Sequence, residues 1–419
     1  MTIDKIKQII IANQQLVKKI ELIERKFKFD DNLNYVLVGV RQCGKSFLMY
    51  QRMKELVKKG YSFEDFIYLN FDDERMIEFT VADFDLILQA YASLYNNTPI
   101  LFLDEIQNIE HWENFARRLA NEKYRVYITG SNAKMLSSEV ATVLGGRYII
   151  QNVYPYSFSE FLNAKGLKLN KNWQSDNKTL TSIRKNFDDY FNNGGFPECT
   201  DIGVKRLWLN VLYQKILLGD LIARYKIRNT QSLQLLIKKL AESIKQPSSY
   251  TRLTKIICAS NSKIQLASVI DYLKYAEETR LIFSIQNHAS KFAEKETQRK
   301  YYFTDNGILN LFLLDGETSL LENIVAIALR EKYETLYYYN SNVEIDFYVP
   351  ERRTAYQVSY SIEAQNTWDR EVNALIKFAK VEKIEKMYII TYDEENIIQK
   401  DNVSIYVIPC WKWMLTENL

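Results

Sequence analysis

Ile6, Ile9, Ile10, Leu16, Ile20 and Ile23 recur at helical spacing with lysines between them, which predicts an amphipathic helix over residues 1–28 that packs on the next domain. From about 34 to 165 the pattern changes. Short apolar runs at Tyr35–Val38, Phe66–Leu69, Ile100–Leu103, Arg125–Ile128 and Tyr148–Val153 read as buried strands, and the stretches 45–59, 81–95, 112–122 and 133–142 between them read as helices. Strand-helix alternation of this kind builds a parallel α/β sheet covered on both faces. Residues 166–200 are polar and aromatic and carry Gly194-Gly195-Phe196-Pro197, a turn signal that marks a junction. Helical periodicity follows at 231–245, 250–259 and 263–277, then two short strands, Leu281–Ile285 and Lys300–Phe303. The last part is mixed: helices at 319–332 and 368–380, and strands at Thr335–Tyr339, Ile345–Val349, Thr354–Val358, 386–391 and 403–408.

Composition narrows the class. Only 13 Gly and 6 Pro occur in 419 residues, against usual shares of about 7% and 5%, so the chain is neither disordered nor collagen-like. At roughly 150 residues per domain the length suggests about three domains. The net charge of +3 names no nucleic acid or membrane partner, so any basic face must be local. Two histidines, His111 and His288, argue against a His-rich metal site or a Ser-His-Asp triad. The cysteines, Cys43, Cys199, Cys258 and Cys410, lack metal-ligand spacing and fit a reduced, intracellular setting. Apolar runs fall far below the roughly 20 residues of a membrane helix, and residues 1–7 carry no secretory signal, so a cytoplasmic location without membrane association is expected.

The chemistry concentrates in the first third. Gly39-Val40-Arg41-Gln42-Cys43-Gly44-Lys45-Ser46 fits Gly-x4-Gly-Lys-Ser/Thr between a strand and a helix, the setting a phosphate loop needs. Its glycines let the main-chain amides of Arg41, Gln42, Cys43, Gly44, Lys45, Ser46 and Phe47 turn toward an anion at the positive end of the following helix. Lys45 can reach the β- and γ-phosphates of ATP, and the Ser46 hydroxyl can ligate Mg²⁺. Ile100-Leu101-Phe102-Leu103-Asp104-Glu105 delivers two carboxylates to the end of a buried strand, where open α/β sheets bind ligands. Asp104 is the second Mg²⁺ candidate and Glu105 the residue that polarises attacking water. Phe66–Leu69 comes between the phosphate loop and Asp104 and sets the acidic strand beyond an inserted one. Asn70, at its end, is a candidate for restraining Glu105. Ile128-Thr129-Gly130-Ser131-Asn132 places Asn132 or Ser131, ahead of Thr129, where a side chain senses the γ-phosphate; a simple strand-to-helix cap is the lesser alternative. Arg147, after Leu144-Gly145-Gly146, could neutralise transition-state charge in its own subunit or across an oligomer contact.

With Pro155-Tyr156-Ser157-Phe158 and the 194–198 turn, these motifs resemble a prokaryotic family of AAA-type ATP-binding proteins that carry a C-terminal domain of unknown function. The resemblance covers nearly the whole chain. It implies a P-loop NTPase core of the AAA+ type over 1–165, a helical linker over 166–200, a winged helix over 201–310, and a mixed α/β domain of the PD-(D/E)XK nuclease-like fold over 311–419. It implies no particular substrate.

Two further features bear on partners. Residues 224–256 hold Arg224, Lys226, Arg228, Lys238, Lys239, Lys245, Arg252 and Lys255 against Glu242 alone, a local excess of seven positive charges. With 263–277 as a recognition helix and Lys291, Lys295, Arg299 and Lys300 in a wing, partly offset by Glu294 and Glu296, the segment could contact duplex DNA; docking a protein or a plain solvated surface is the weightier alternative. In the last domain, an active nuclease of this fold needs a helix Glu, a strand Asp and a Glu-x-Lys. Glu322 and Glu344-Ile345-Asp346 fit, but the third element is Gln357-Val358-Ser359, so the domain is expected to be inactive. The leading expectation is an Mg²⁺-dependent ATPase or ATP-driven switch. A DNA-associated factor of mobile-element or defence type, and a metal-dependent nuclease, are its rivals.

Overall fold

Each apolar run read as a strand in the first third is one. In the computed structural model, which describes residues 1–130, 138–260, 263–400 and 403–416, the chain divides into two units, Met1–Tyr154 and Pro155–Leu419.

The first unit runs α1 (Ile3–Lys19), β1 (Asn34–Val38), α2 (Lys45–Lys58), β2 (Phe66–Asn70), α3 (Phe84–Ala92), β3 (Ile100–Asp104), α4 (Trp112–Asn121), β4 (Arg125–Gly130), α5 (Ser138–Leu144) and β5 (Tyr148–Asn152). All five strands are parallel, in the order β2-β3-β4-β1-β5. The strand separating β1 from β3 in space is therefore β4. Phe66–Asn70, expected as the inserted strand, lies instead at the sheet edge. The edge is protected by α1, whose buried Asn13 and Gln14 amides donate to the free carbonyls of Tyr68 (2.8 Å) and Phe66 (3.0 Å).

The first helix stops at Lys19 rather than continuing to 28. Ile20 is extended, and the Lys54 ammonium takes its carbonyl. Gln51 of α2 then pairs with both main-chain groups of Arg25, accepting from its N–H at 2.8 Å and donating to its C=O at 3.1 Å. Side chains of α2 thus satisfy the backbone that a longer helix would have satisfied internally.

The second unit contains α6 (Phe158–Ala164), α7 (Asn177–Asn193), α8 (Lys205–Lys215) with a π-helical continuation at Ile216–Ala223, α9 (Thr230–Glu242), β6 (Ser248–Ser249), α10 (Tyr250–Ala259), α11 (Leu266–Glu278), β7 (Ile282–Asn287), α12 (Phe292–Thr297), β8 (Gln298–Phe303) and α13 (Asn306–Asn310). It continues through α14 (Glu317–Lys332), β9 (Tyr337–Asn340), β10 (Glu344–Val349), β11 (Thr354–Val358), α15 (Gln365–Ala379), β12 (Lys386–Thr391), β13 (Asn396–Lys400), β14 (Val403–Pro409) and α16 (Cys410–Thr416). Its strands form one mixed sheet, β13-β14-β12-β11-β10-β9-β7-β8-β6. The hairpin β7–β8 and the C-terminal strands are continuous because β7 pairs with β9 and the Asn287 side chain bonds both main-chain groups of Asn340.

Two sequence motifs meet in this unit. The Tyr156 amide donates to Gly195 O at 2.7 Å, and the Asp305 carboxylate, at the start of α13, accepts from Gly195, Gly307 and Ile308 N–H groups. Burial pushes the Asp305 pKa up to about 6. Gly194 takes φ +74°, and a Cβ there would lie 2.0 Å from Asp305 Oδ1. Gly194→Ala is therefore expected to cost more than about 2 kcal/mol. Gly203→Ala, where nothing lies within 4 Å, should be nearly neutral. Equal denaturation midpoints for the two variants would contradict this reading of the junction.

Candidate nucleotide-binding site

The loop after β1 depends on a close approach of two chain segments. A Cβ on Gly39 would lie 2.2 Å from Val153 O, so only glycine fits where β1 leaves the sheet. Gln42 (φ 62°) and Gly44 (φ 96°) then turn the chain into α2. The Cys43 thiol points away from the loop, toward Val153 O (3.3 Å), and its burial raises its pKa. Cys43 can offer a ligand only main-chain atoms. Arg41 and Gln42 are partly buried, and Phe47, on the first turn of α2, is half exposed against Tyr50.

Lys45 folds back onto this loop. Its Nζ donates to Gly39 O and Val40 O, both at 3.2 Å, and lies 3.6 Å from Glu105 Oε1. Burial works against the ammonium, but the acidic groups around it, Cys43, Glu105 and Asp104, more than reverse that, and its pKa stands above the usual lysine value.

The ends of β1, β3 and β4 are aligned by their register, which brings the acids to Lys45. Asp104 is almost fully buried and accepts from the Ser46 and Thr129 hydroxyls and from Tyr68 Oη (2.7 Å). Burial, then the neighbouring Glu105 charge, raises its pKa. Tyr50 and Tyr68 hydroxyls lie 2.9 Å apart beneath it. The Glu105 amide donates to Thr129 Oγ1 at 3.0 Å, so one hydroxyl ties both acids to β4. Glu105 occupies the left-handed region at φ 51°, uncommon for a residue with a Cβ.

The structure thus brings Gly39 through Phe47, Asp104 and Glu105 together. A hydroxyl and a carboxylate in contact, both oxygen donors, suit Mg²⁺ at Ser46 and Asp104. Asn70 does not restrain Glu105; its Oδ1 caps a turn by accepting from Asp72 N at 2.9 Å. The partner of Glu105 Oε2 is Gln107 Nε2. Ser131 and Asn132 lie outside the described residues. Arg147 is not at this site: it precedes β5, at the amino ends of the parallel strands, whereas the site lies at their carboxyl ends, and its Nε donates to Asn121 Oδ1 at 2.7 Å. Tyr68, Thr129 and Gln107 complete the site. Residue type alone did not single out Tyr68 or Gln107.

A second charged cluster lies in the other unit. Lys300, expected on the surface of a wing, is fully buried instead, because β8 faces α14 and β10. Its Nζ lies 3.3 Å from Glu322 Oε1, 3.4 Å from Asp346 Oδ1 and 3.9 Å from Glu344 Oε1. Burial pulls the ammonium's pKa down, but the three carboxylates more than restore it, so Lys300 remains charged. Burial and Asp346 push the Glu322 pKa up against the pull of Lys300. Gln357 accepts from Asp346 N and donates to Glu371, each at 2.8 Å, while the Ser359 hydroxyl donates to Ser361 O. An open cleft of about 750 Å³ adjoins these residues.

Residues 31–162 match a family described as an AAA domain, and residues 184–319 match a domain of unknown function. The uncharacterized protein MJ1544 of Methanocaldococcus jannaschii is 31% identical over 98% of this chain and 95% of its own length. An uncharacterized protein of Haemophilus influenzae is 28% identical over 80% of this chain and 84% of its own. Among solved structures, the Walker-type ATPase PABY2304 of Pyrococcus abyssi is 13% identical over 71% of this chain and 99% of its own, with a TM-score of 0.40. Among the described residues no helix is long and apolar enough to cross a membrane.

Lys300→Met would leave the buried Glu322 carboxylate facing the partly buried Asp346 without a cation between them. It is expected to destabilise the chain by about 3–5 kcal/mol in urea, with part recovered in the Lys300→Met/Glu322→Gln double variant. A single variant as stable as the parent would contradict the cluster's role.

Proposed function

Because the chain belongs to an AAA-type ATP-binding family that includes MJ1544 of Methanocaldococcus jannaschii, we propose that it is an Mg²⁺-dependent ATPase or ATP-driven switch working through the site at the ends of β1 and β3. One observation carries the reading: Lys45, Ser46, Asp104 and Glu105 converge at the carboxyl ends of β1 and β3, with the Lys45 charge shared between its own loop and Glu105.

A triphosphate offers Lys45 better oxygens than two neutral carbonyls, so binding would draw Nζ from Gly39 O and Val40 O to the β- and γ-phosphates. The amides from Arg41 to Phe47 and the start of α2 would hold the remaining phosphate charge. Ser46 and Asp104 would hold Mg²⁺, which when bound neutralises phosphate charge. Losing Lys45 from its side, Glu105 would be released to take a proton from water attacking the γ-phosphorus. Asn132 keeps its place in this reading as a γ-phosphate sensor. Arg147, at the amino ends of the strands and so away from this site, would reach a γ-phosphate only in a neighbouring copy.

In the second unit, the order α9, β6, α10, α11, β7, β8, with β6 paired to β8, supports a winged-helix reading of 201–310. Glu322, Asp346 and Gln357 on α14, β10 and β11 support a nuclease-like fold over 311–419. Gln357, which bonds Asp346 N and Glu371, and Ser359, which bonds Ser361 O, stand where the Glu-x-Lys pair would be and support its inactivity. A DNA-associated factor is the second reading. Lys226, Arg228, Lys238, Lys245, Arg252 and Lys255 are exposed and could meet phosphates. Against base reading, α11 exposes Leu266, Ile270 and Asp271, a face better suited to a protein partner.

Lys45→Ala is expected to abolish nucleotide binding, and Glu105→Gln to bind ATP but turn over at least about 10²-fold more slowly. Unchanged turnover in Glu105→Gln would remove Glu105 from the mechanism. For the second reading, the full chain should retain duplex DNA at low salt and release it steeply as salt rises. No retention at low salt would exclude that reading.

A further inference from the structure

Gln107 sits in the single 3-10 turn Ile106–Asn108 directly behind Glu105. Its Nε2 donates to Glu105 Oε2, yet its Oε1 is buried without a hydrogen-bond partner. Reversing the amide would set its oxygen against the Glu105 carboxylate, so the pairing fixes which amide atom is left over. An unpaired buried acceptor is costly and uncommon in native structures. Glu105 bears a second cost, the left-handed backbone at φ 51°. Costs of this kind persist where the surroundings over-determine the geometry, and they cluster at functional sites. Here Thr129 fixes the Glu105 main chain at 3.0 Å and Gln107 engages its carboxylate.

We propose that Gln107 is a water-positioning residue of the nucleotide site: its amide nitrogen holds Glu105, and its amide oxygen accepts from the water that Glu105 deprotonates. The inference rests on the reading of Glu105 as the base. A water has two O–H groups, and the two acceptors, the Glu105 carboxylate and Gln107 Oε1, take one each. That leaves an oxygen lone pair to face the γ-phosphorus. In the step, the water oxygen bonds to the γ-phosphorus while the bond from that phosphorus to the β,γ-bridging oxygen breaks, and its electron pair departs with ADP. One proton passes to Glu105; the other stays on the new phosphate, hydrogen-bonded to Gln107.

The experiment compares full-length wild type, Gln107→Met and Glu105→Gln for binding of a fluorescent ATP analogue, single-turnover hydrolysis across pH, and retention of Mg·ADP with beryllium fluoride or aluminium fluoride. Beryllium fluoride mimics bound ATP, whereas aluminium fluoride mimics the in-line transition state with its water. Gln107→Met should keep ATP and beryllium fluoride binding within about 3-fold. It should lose about 10²-fold in turnover and a similar factor in aluminium fluoride retention. Removing a donor from the carboxylate should also move the acid limb of the pH profile upward. A merely structural role would not produce the aluminium fluoride contrast. Gln107→Asn, which withdraws the amide by one methylene, reads the same contrast where the Met variant does not fold. Wild-type behaviour of Gln107→Met beside a slow Glu105→Gln overturns the proposal alone. Wild-type turnover in both variants overturns the base assignment and this proposal with it.

Discussion

A buried ammonium must be surrounded by oxygen, and the first unit is built around that requirement at Lys45. The phosphate loop can close on Lys45 because Gly39 has no side chain to strike Val153, and because Gln42 and Gly44 accept left-handed backbone. The oxygens that satisfy Lys45 are two carbonyls of its own loop and the Glu105 carboxylate. All three can be exchanged for phosphate oxygens without rebuilding the sheet. In the proposed reading, nucleotide binding and the release of Glu105 are one event: what the phosphates offer Lys45 is what frees Glu105.

Lys300 in the second unit obeys the same rule with the opposite outcome. It too is buried among acidic groups, but its partners Glu322 and Asp346 are carboxylates fixed on α14 and β10, and no neutral carbonyl stands in for an absent ligand. Extracting it would strand two negative charges. One cation is held provisionally by weak partners, the other permanently by strong ones. The first arrangement suits a site that turns over, the second a site whose charge is already settled.

Much of the first unit was legible because β1 to β4 are almost wholly buried; β5, read as buried, exposes Ile149 and Ile150. Residues such as Ile100–Leu103 are uninterrupted apolar runs, and the loop spacing from Gly39 to Ser46 has one good physical explanation. What stayed hidden depended on pairing between distant segments. The amphipathic pattern through Ile23 gave no sign that Gln51 would capture Arg25 and end the helix at Lys19. Chain order suggested Phe66–Asn70 as the inserted strand, whereas the sheet places β4 there. Nothing in the chain order placed Lys300 beside Glu322 and Asp346, since only the fold sets β8 against α14. Charge counts made Lys300 look like a surface cation for the same reason. The short strand β13 and the final helix α16 lacked a clear period and were not anticipated.

The most direct measurement is a crystal structure of the full chain with Mg²⁺ and a non-hydrolysable ATP analogue. The account predicts phosphate oxygens cradled by the loop from Gly39 to Ser46, Lys45 Nζ withdrawn from Gly39 O and Val40 O, and the metal between Ser46 and Asp104. An analogue bound elsewhere, or seated in the loop with Lys45 still on both carbonyls, would contradict it.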